Sequence, residues 1–278
     1  MFVKKLLALA TKLAESHPYL WKLAWEAAHR LPVLLPHDQS YYALRHFIRV
    51  APNGLFLDIG ANDGISVLSF RKFHKSYRIL SLEPNSMLEP ALAKIKRADP
   101  NFDYMMVGAG SVPSRLQFFV PIYHGIVLHT FTSSKADRVW DGIAHSFGKS
   151  VVASTVVKSV ESDVIRIDDL NIAPTIVKID AEGFGFEVLR GLEQTLARAR
   201  PFVIIEMEWT KEDQSAAFLE ARAYIILSYN VVTDQFSILT GRSDSASEIN
   251  RPHASGSRNC FAVPREALTN LPLDMSRP

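Results

Sequence analysis

The segment that most constrains the fold is a short apolar run that ends in an acid, is broken by two glycines and resumes with helical spacing. It reads LFLDIGANDGISVLSF and covers residues 55–70. Gly60 and Gly64 permit a left-handed backbone and a close approach between the chain and a ligand. Apolar residues return from Ile65 onward, as expected where a helix begins. The pattern predicts a strand, a tight turn and a helix, which is where open α/β sheets bind ligands.

Similar apolar runs recur along the chain and alternate with helical patterns, which is typical of βα units and a parallel sheet. Because the runs are continuously apolar, we expect their side chains to be buried on both faces. Seven strands are predicted, at residues 55–60, 78–84, 103–110, 175–183, 202–208, 223–230 and 260–264. We therefore predict an α/β fold of the Rossmann type, with a seven-stranded, mostly parallel sheet and helices on both faces.

The predicted sheet domain covers residues 51–278, and two segments differ from its surroundings. Residues 1–50 are apolar at helical spacing with lysines between, which predicts an N-terminal helical cap. The face with Trp21 and Trp25 is predicted to pack on the domain or on a second copy as a homodimer; the alternative is peripheral contact with a membrane surface. Residues 116–170 interrupt the strand–helix rhythm, and we expect them to form a lid or substrate insertion.

Composition excludes some classes of partner and location. The chain has 278 residues with 31 basic and 29 acidic side chains, so a nucleic-acid partner is disfavoured. A single cysteine, Cys260, rules out a disulfide within the chain and favours a cytoplasmic location. No stretch approaches the roughly 20 apolar residues that a membrane-spanning helix needs.

The turn after the first strand suits S-adenosylmethionine better than a dinucleotide. Asp58 and Asp63 place negative charge near a ligand that carries an ammonium and a sulfonium, whereas they would repel a pyrophosphate. The helix N-terminus is expected to offer N–H groups to the carboxylate of the ligand. The G-x-x-x-G spacing lacks the third glycine of the dinucleotide motif, and no G-K-S/T follows. The residues predicted to form this part of the cofactor site are Asp58, Gly60, Ala61, Asn62 and Gly64.

Two further strand ends complete the predicted cofactor site. The second strand ends in Glu83 and Pro84, and an acid at this position is placed to accept hydrogen bonds from ribose hydroxyls. The third strand ends in Val107 and Gly108, where an apolar and a small residue leave room for an adenine ring.

The methyl acceptor is predicted to bind beside carboxylates at the ends of the fourth and fifth strands. A hydroxyl acceptor must lose its proton, and the predicted catalytic residues are Asp180, Glu182 and Glu206. Asp180 and Glu206 should lie at neighbouring strand ends, where two carboxylates and waters could also hold Mg²⁺. We predict no dedicated metal site.

Other ionisable residues leave alternatives open. His124, His129 and His145 are alternative bases, because a neutral imidazole accepts a proton near pH 7. Lys178 lies inside an apolar strand, and we expect it to form an ion pair with a carboxylate rather than to act in catalysis.

Five segments resemble, in order, the FkbM family of methyltransferases. They are LFLDIGANDG, LSLEPN, IRIDDL, IVKIDAEGFGFEVLRG and RPFVIIEME, all within residues 54–210. The resemblance implies an S-adenosylmethionine-dependent methyltransferase, usually one that methylates a hydroxyl of a small natural product or a saccharide. It also implies that Asp58, Gly60, Asn62 and Gly64 belong to the cofactor turn and that Glu83 binds the ribose.

Two departures from the family pattern are evident, and other functions stay open. Asp63 stands where the family commonly has an apolar residue, and residues 184–186 replace a more usual polar or small run. The alternatives are an N-methyltransferase, a catalytically silent cofactor-binding protein of the same fold, and a dehydrogenase.

Overall fold

The computed structural model describes residues 36–128, 131–133, 135–147, 149–181, 183–207, 214–239 and 259–274. They belong to two units, a larger one with Pro36–Ser114 and the chain from Asp163 onward, and a smaller one with Arg115–Ser162. Residues 36–50 of the predicted cap therefore belong to the larger unit. Residues 1–35 lie outside the described residues.

Twelve strands and eight α-helices lie within the described residues. The strands are β1 (Leu55–Ile59), β2 (Arg78–Leu82), β3 (Phe102–Met105), β4 (Gly108–Ala109), β5 (Ser114–Tyr123), β6 (Ile126–Val127), β7 (Thr155–Ile165), β8 (Ile176–Ile179), β9 (Phe202–Glu206), β10 (Tyr224–Asn230), β11 (Gln235–Ile238) and β12 (Asn259–Pro264). The helices are α1 (Leu44–Val50), α2 (Ile65–Phe70), α3 (Glu89–Ala98), α4 (Ala136–Phe147), α5 (Lys149–Ala153), α6 (Gly185–Gly191), α7 (Glu193–Ala199) and α8 (Gln214–Glu220).

The sheet of the larger unit has the strand order β11-β10-β12-β9-β8-β1-β2-β3. Strands β9, β8, β1, β2 and β3 are parallel neighbours, whereas β12 runs antiparallel between β9 and β10. The prediction of seven strands is corrected to a mixed sheet of eight, because β11 folds back on β10 with Ile238 opposite Leu227. The strand order reverses between β1 and β8, and a crevice opens at such a point.

Side chains of the sheet are buried on both faces, as the continuous apolar runs predicted. In β1, Phe56 enters one core and Leu57 the other, and both are fully buried. Helices α1, α2 and α3 contribute to the first core, for example through Phe70. Helices α6, α7 and α8 contribute to the second, for example through Leu196. The prediction of helices on both faces is confirmed.

The chain enters the larger unit through a capped helical start. Asp38 accepts the N–H of Ser40 at 2.7 Å and so caps the 3-10 helix Gln39–Ala43, which passes directly into α1. Phe47 of α1 stacks on Phe202 of β9, with ring centroids 4.5 Å apart. This contact holds the segment against the sheet.

The predicted third strand is divided in two. Its first part is β3, at the edge of the main sheet. Its second part, β4, leaves that sheet, and Gly108 and Ala109 pair instead with Val164 and Ile165 at the end of β7. The prediction had one continuous strand here, but the chain leaves the main sheet between residues 105 and 108.

The smaller unit contains β6, α4, α5 and most of β5 and β7. Strand β5 pairs antiparallel with β6 and also lies beside β7. Helix α4 buries Val139, Ile143 and Phe147, which follow one another at intervals of four along a single helical face. These strands were not predicted from the sequence. The role of residues 116–170 as a lid stays a prediction.

Several predictions concern the N-terminal segment and membranes. The stretch that carries Trp21 and Trp25 lies outside the described residues, so the homodimer and the peripheral membrane contact stay predictions. Within the part of the chain that the structure describes, no helix combines the length and apolar character that crossing a bilayer requires.

Candidate functional site

The turn after β1 brings its backbone against the end of β8. Gly60 has a φ of +77°, and a Cβ at this position would overlap the carbonyl oxygen of Asp180. Asn62 and Gly64 also have left-handed backbones, with φ of +55° and +87°. The strand, tight turn and helix predicted for residues 55–70 are confirmed, at the point where the strand order reverses.

The N–H groups of residues 60–65 all donate within the protein. The carbonyl of Leu82 accepts two of them, and a carboxylate oxygen of Glu83 accepts the N–H of Asn62 at 2.8 Å. The side chains of Asn62 and Asp63 accept two more, at 2.8 and 3.2 Å. The turn therefore satisfies its own N–H groups, and the expectation that the helix start offers N–H groups to a ligand stays a prediction.

Asp58 lies near the end of β1 in complete burial and is held by three side chains. Its Oδ2 accepts the hydroxyls of Ser66 at 2.6 Å and Ser81 at 3.0 Å. Its Oδ1 lies 3.3 Å from the Nζ of Lys178 in an ion pair. A carboxylate this deeply buried must be paired. Asp58 therefore stabilises the turn through these contacts.

Lys178 connects the turn to the end of β8. Its Nζ donates to the carbonyl of Gly60 at 2.6 Å and lies 3.5 Å from Oδ2 of Asp180. Burial alone lowers the pKa of Lys178, but the carboxylates of Asp58 and Asp180 outweigh burial and hold this pKa above its ordinary value. The ammonium therefore stays charged, and the predicted ion pair is confirmed.

Glu83 is buried at the end of β2 and organises two turns at once. Its Oε2 accepts the N–H of Asn62 at 2.8 Å, and its Oε1 accepts the N–H of Asn85 at 2.9 Å. Burial raises the pKa of Glu83 above its ordinary value, against the opposing effect of these N–H groups and of the Lys178 ammonium. Each carboxylate oxygen has a second lone pair, so Glu83 keeps acceptor capacity for a ligand.

Pro84 and Gly108 lie next to each other beyond the ends of β2 and β3. A Cβ on Gly108 would lie 3.7 Å from the Cβ of Pro84 and 3.2 Å from a methyl carbon of Val164. Val107 is half-buried and packs on the second core. The predicted adenine residues are therefore brought together with the strand end that carries Glu83.

The two described carboxylates of the predicted acceptor site are neighbours. Asp180 and Glu206 follow Ile179 and Ile205, which pair across β8 and β9. The side chain of Asp180 is 44% exposed, and Glu206 is exposed. Glu182 lies outside the described residues. Among the residues that are described, no cluster of three or more His, Cys, Asp or Glu side chains could hold a metal ion.

Residues 37–41 also belong to this site, although the sequence did not predict it. Ser40 accepts a hydrogen bond from the side-chain amide of Asn259 at 3.0 Å, and Asn259 is the register partner of Glu206. The ring of His37 meets the ring of Tyr41 edge-on, with centroids 4.6 Å apart. The segment before α1 therefore reaches the carboxyl ends of the central strands.

Tyr41 adds a buried polar atom to the same region. Its hydroxyl has no hydrogen-bond partner among the described residues. Burial raises the pKa of Tyr41 well above its ordinary value, and the carboxylates of Asp58 and Asp180 raise it further. The Tyr41 phenol therefore stays neutral and can donate a hydrogen bond.

The histidines predicted as alternative bases are not brought together. His124 is exposed at the turn between β5 and β6 with a φ of +45°, and His145 is exposed on α4. His129 lies outside the described residues. Both described histidines belong to the smaller unit.

Comparisons with known proteins identify the family of the chain. The family model described as the methyltransferase FkbM domain matches residues 58–232, more than half of the chain. No curated protein sequence matches the chain. Two similar solved structures are an FkbM methyltransferase from Methylobacillus flagellatus KT and a precorrin-6y C5,15-methyltransferase from Geobacter metallireducens GS-15.

The match covers different shares of the two solved structures. The Methylobacillus structure is 17% identical with a TM-score of 0.45, and the match covers 76% of this chain but only 43% of that one. The Geobacter structure is 13% identical with a TM-score of 0.37, and the match covers 76% and 78%. On the evidence of the family model, this chain carries a methyltransferase domain and belongs to the FkbM family, whose reaction is S-adenosylmethionine-dependent methyl transfer.

Proposed function

We propose that the protein is an S-adenosylmethionine-dependent O-methyltransferase that methylates a hydroxyl of a small natural product or a saccharide. The observation that carries this proposal is the buried Glu83 carboxylate, which ties the turn after β1 to the end of β2 and keeps acceptor capacity. Family membership supports the reaction type. The choice of a hydroxyl as the methyl acceptor is supported by the exposed carboxylates beside this turn.

The residues at the crevice fit S-adenosylmethionine part by part. Glu83 would accept the ribose hydroxyls, and Pro84, Val107 and Gly108 would lie beside the adenine. The turn of Gly60, Ala61, Asn62 and Gly64 would hold the methionyl end, supported beneath by Asp58. When bound, the cofactor supplies a methyl group on a positively charged sulfur, which needs no metal activation.

The acceptor side would be formed by Asp180, Glu182 and Glu206. We assign Asp180 the task of accepting a hydrogen bond from the substrate hydroxyl and so orienting it. Its carboxylate is accessible and lies 3.5 Å from the Lys178 ammonium. Orientation of this kind supplies a large part of the rate in a displacement reaction.

Calorimetric titration of the full chain tests the cofactor class first. The ligands are S-adenosylmethionine, S-adenosylhomocysteine and NAD, each with and without Mg²⁺. We expect the two adenosyl ligands to bind and NAD not to bind. Folded protein that binds neither adenosyl ligand would refute the proposal, and NAD binding would favour the dehydrogenase.

Transfer of a labelled methyl group tests the acceptor class. A panel of saccharides and hydroxylated aromatic compounds is compared with a matched panel in which an amine replaces the hydroxyl. We expect label only in products of the hydroxyl panel. Label only in the amine panel would indicate an N-methyltransferase, and cofactor binding without any product in either panel would favour the silent protein.

A cytoplasmic location is part of the proposal, supported by the single, buried cysteine.

A further inference from the structure

The segment before α1 contains an exposed histidine, His37. It lies just before the 3-10 helix Gln39–Ala43, in the segment that reaches Asn259 and the end of β9. The charges of Lys178, Asp58 and Asp180, at the ends of β1 and β8, act on the pKa of His37. An exposed histidine in the segment that reaches this strand end has the chemistry of a proton acceptor.

His37 is fixed in place by two contacts to one buried serine. Its backbone N–H donates to Oγ of Ser69 on α2 at 3.1 Å, and its Nδ1 lies 2.8 Å from the same oxygen. On its other side, the ring packs edge-on against Tyr41. When Nδ1 carries the proton and donates to Ser69, Nε2 keeps a free lone pair. Positioning of a base by a second group is the arrangement that general-base catalysis needs.

The surroundings of His37 favour the neutral imidazole at pH 7. Although His37 is exposed as a residue, desolvation by the surrounding protein lowers its pKa. The Lys178 ammonium lowers it further, whereas the carboxylates of Asp38, Asp58 and Asp180 act in the opposite direction. The net result is a pKa below the ordinary value, so the ring is ready to accept a proton.

The carboxylates at the strand ends are less suited to this task. A carboxylate is a weaker base than a neutral imidazole. Asp180 is also held in an ion pair, with its Oδ2 3.5 Å from the Lys178 Nζ. Asp180 is therefore suited to orient the acceptor, and a separate base is needed to remove the proton.

We propose that His37 is the general base of the methyl transfer, with Nε2 accepting the proton of the substrate hydroxyl. The inference rests on the proposed function. As the proton moves to Nε2, the hydroxyl oxygen forms a bond to the methyl carbon, and the bond between that carbon and the sulfonium sulfur breaks. Its electron pair neutralises the sulfur, and the proton leaves the imidazolium for solvent.

The test measures the ionisation of His37 directly, by nuclear magnetic resonance of the full chain with isotopically labelled histidine. The His37 signal is the one missing from the His37→Gln variant. The protein is titrated with pH in the presence of saturating S-adenosylmethionine and, separately, S-adenosylhomocysteine. These ligands differ by the methyl group and one positive charge at sulfur, so a base that faces the methyl group must respond to the difference.

We expect the acid dissociation constant of His37 to be at least about threefold larger with S-adenosylmethionine than with S-adenosylhomocysteine, because the sulfonium repels the imidazolium. His124 and His145, identified by their own glutamine variants, serve as controls and should show no difference. Equal titration of His37 in both complexes would overturn the inference while leaving the cofactor assignment intact. If neither ligand binds, the proposed function itself fails.

A second measurement separates a base from a cofactor ligand. His37→Gln should bind S-adenosylhomocysteine within about twofold of the unchanged protein, a difference of less than 0.5 kcal/mol, because the imidazole faces the acceptor. With a hydroxyl acceptor, its turnover should fall on the order of 100-fold or more. The decrease of turnover at low pH that protonation of His37 causes should also disappear. A tenfold loss of S-adenosylhomocysteine affinity, or turnover with an unchanged pH profile, would contradict the role.

Discussion

At the scale of single residues, the site depends on buried charges whose partners come from neighbouring strands. Asp58 and Glu83 could be predicted because each ends an apolar run, where an acid has no packing role. Ser81 was also detectable, since it is a polar residue in an apolar run and faces Asp58 in register. His37 and Tyr41 gave no such signal, because only the tertiary fold brings residues 37–41 to the strand ends.

The raised pKa of Glu83 predicts how cofactor affinity depends on pH. The ionised carboxylate accepts the ribose hydroxyls, and protonation removes that capacity. Affinity for S-adenosylhomocysteine should be complete well above the Glu83 pKa and should fall as the pH drops through it. Because burial raises this pKa, the loss should begin at a higher pH than for an ordinary glutamate.

Glu83→Gln tests this dependence by calorimetry between pH 5 and 8. The variant should bind about 1.5–3 kcal/mol more weakly at the upper end, since it lacks a charged acceptor, and its affinity should be flat with pH. Glu89→Gln, an exposed position on α3, is the control and should behave as the unchanged protein. A Glu83→Gln variant that keeps the full pH dependence would assign the effect to another group.

Gly60→Ala should destabilise the protein more than a left-handed backbone alone explains. A Cβ at Gly60 would overlap the Asp180 carbonyl in addition to straining a φ of +77°. Gly125→Ala is a matched control, because its φ is +80° and a Cβ there meets nothing within 4 Å. We expect a loss of about 1–2 kcal/mol in unfolding free energy for the control and at least about 3 kcal/mol for Gly60→Ala.

Equal losses for the two alanine variants, measured by urea unfolding, would show that the turn can move away from β8. In that case the close contact between the two strand ends would not be required for the fold. The same samples can be titrated with S-adenosylhomocysteine, and only Gly60→Ala should lose affinity.

At the scale of elements, strands buried on both faces were predicted and strands exposed on one face were not. Runs such as residues 202–205 are continuously apolar because helices cover both sides of the sheet. Strand β11 is only four residues long, with Phe236 buried and Ile238 exposed, so its pattern resembles a loop. Strands β5 and β7 mix polar and apolar residues for the same reason, and β7 lies between β4 and β5, which are far from it in the sequence.

Helix α1 is an element whose position depends on one aromatic side chain. Phe47 is fully buried, stacks on Phe202, and also meets Phe236 and Phe261. Phe47→Ala should lower the unfolding free energy by about 3–5 kcal/mol, through lost burial and a residual cavity. Val50→Ala on the same helix, where the side chain is 36% exposed, should cost about 0.5 kcal/mol or less.

Urea unfolding at neutral pH compares the two variants of α1. A loss below about 1 kcal/mol for Phe47→Ala would be too small for a buried core residue and would show that α1 docks weakly. Because α1 follows residues 37–41 directly, such a result would also weaken the placement of His37 and Tyr41.

At the scale of the whole molecule, two carboxylates form ion pairs with segments that are distant in the chain. Asp234 lies 3.0 Å from Arg45 and accepts hydrogen bonds from Tyr229 and His46, both at 2.6 Å, and Glu266 pairs with Arg200 at 2.8 Å. Although partial burial opposes the change, the hydrogen bonds lower the pKa of Asp234 to about 2. Hydrogen bonding to Arg200 lowers the pKa of Glu266 to about 2 as well.

Both lowered pKa values predict a loss of stability in acid. A carboxylate whose pKa is lower in the folded state stabilises that state above its unfolded pKa, and the contribution disappears as the pH falls toward the folded pKa. The window therefore runs from roughly pH 4.5 down to about 2. Since both side chains are substantially exposed, we expect each to contribute no more than about 1 kcal/mol.

The double variant Asp234→Asn/Glu266→Gln tests this window by urea unfolding at pH 5 and pH 3. Its unfolding free energy should fall less between these values than that of the unchanged protein. Asp103→Asn, an exposed position with one lysine contact at 3.2 Å, is the control and should fall like the unchanged protein. Parallel curves for the double variant would place the acid sensitivity elsewhere.

The position of β12 has a consequence for how the protein is made. This strand inserts between β9 and β10, and Phe261 and Val263 are fully buried there. While the ribosome is still translating the codons before Asn259, β9 and β10 have no strand between them, and their facing edges remain unpaired. The cofactor turn, by contrast, needs only strands β1, β2 and β8, which are synthesised much earlier. A nascent chain can therefore assemble its cofactor side while the other half of its sheet stays open and exposed to aggregation or chaperones.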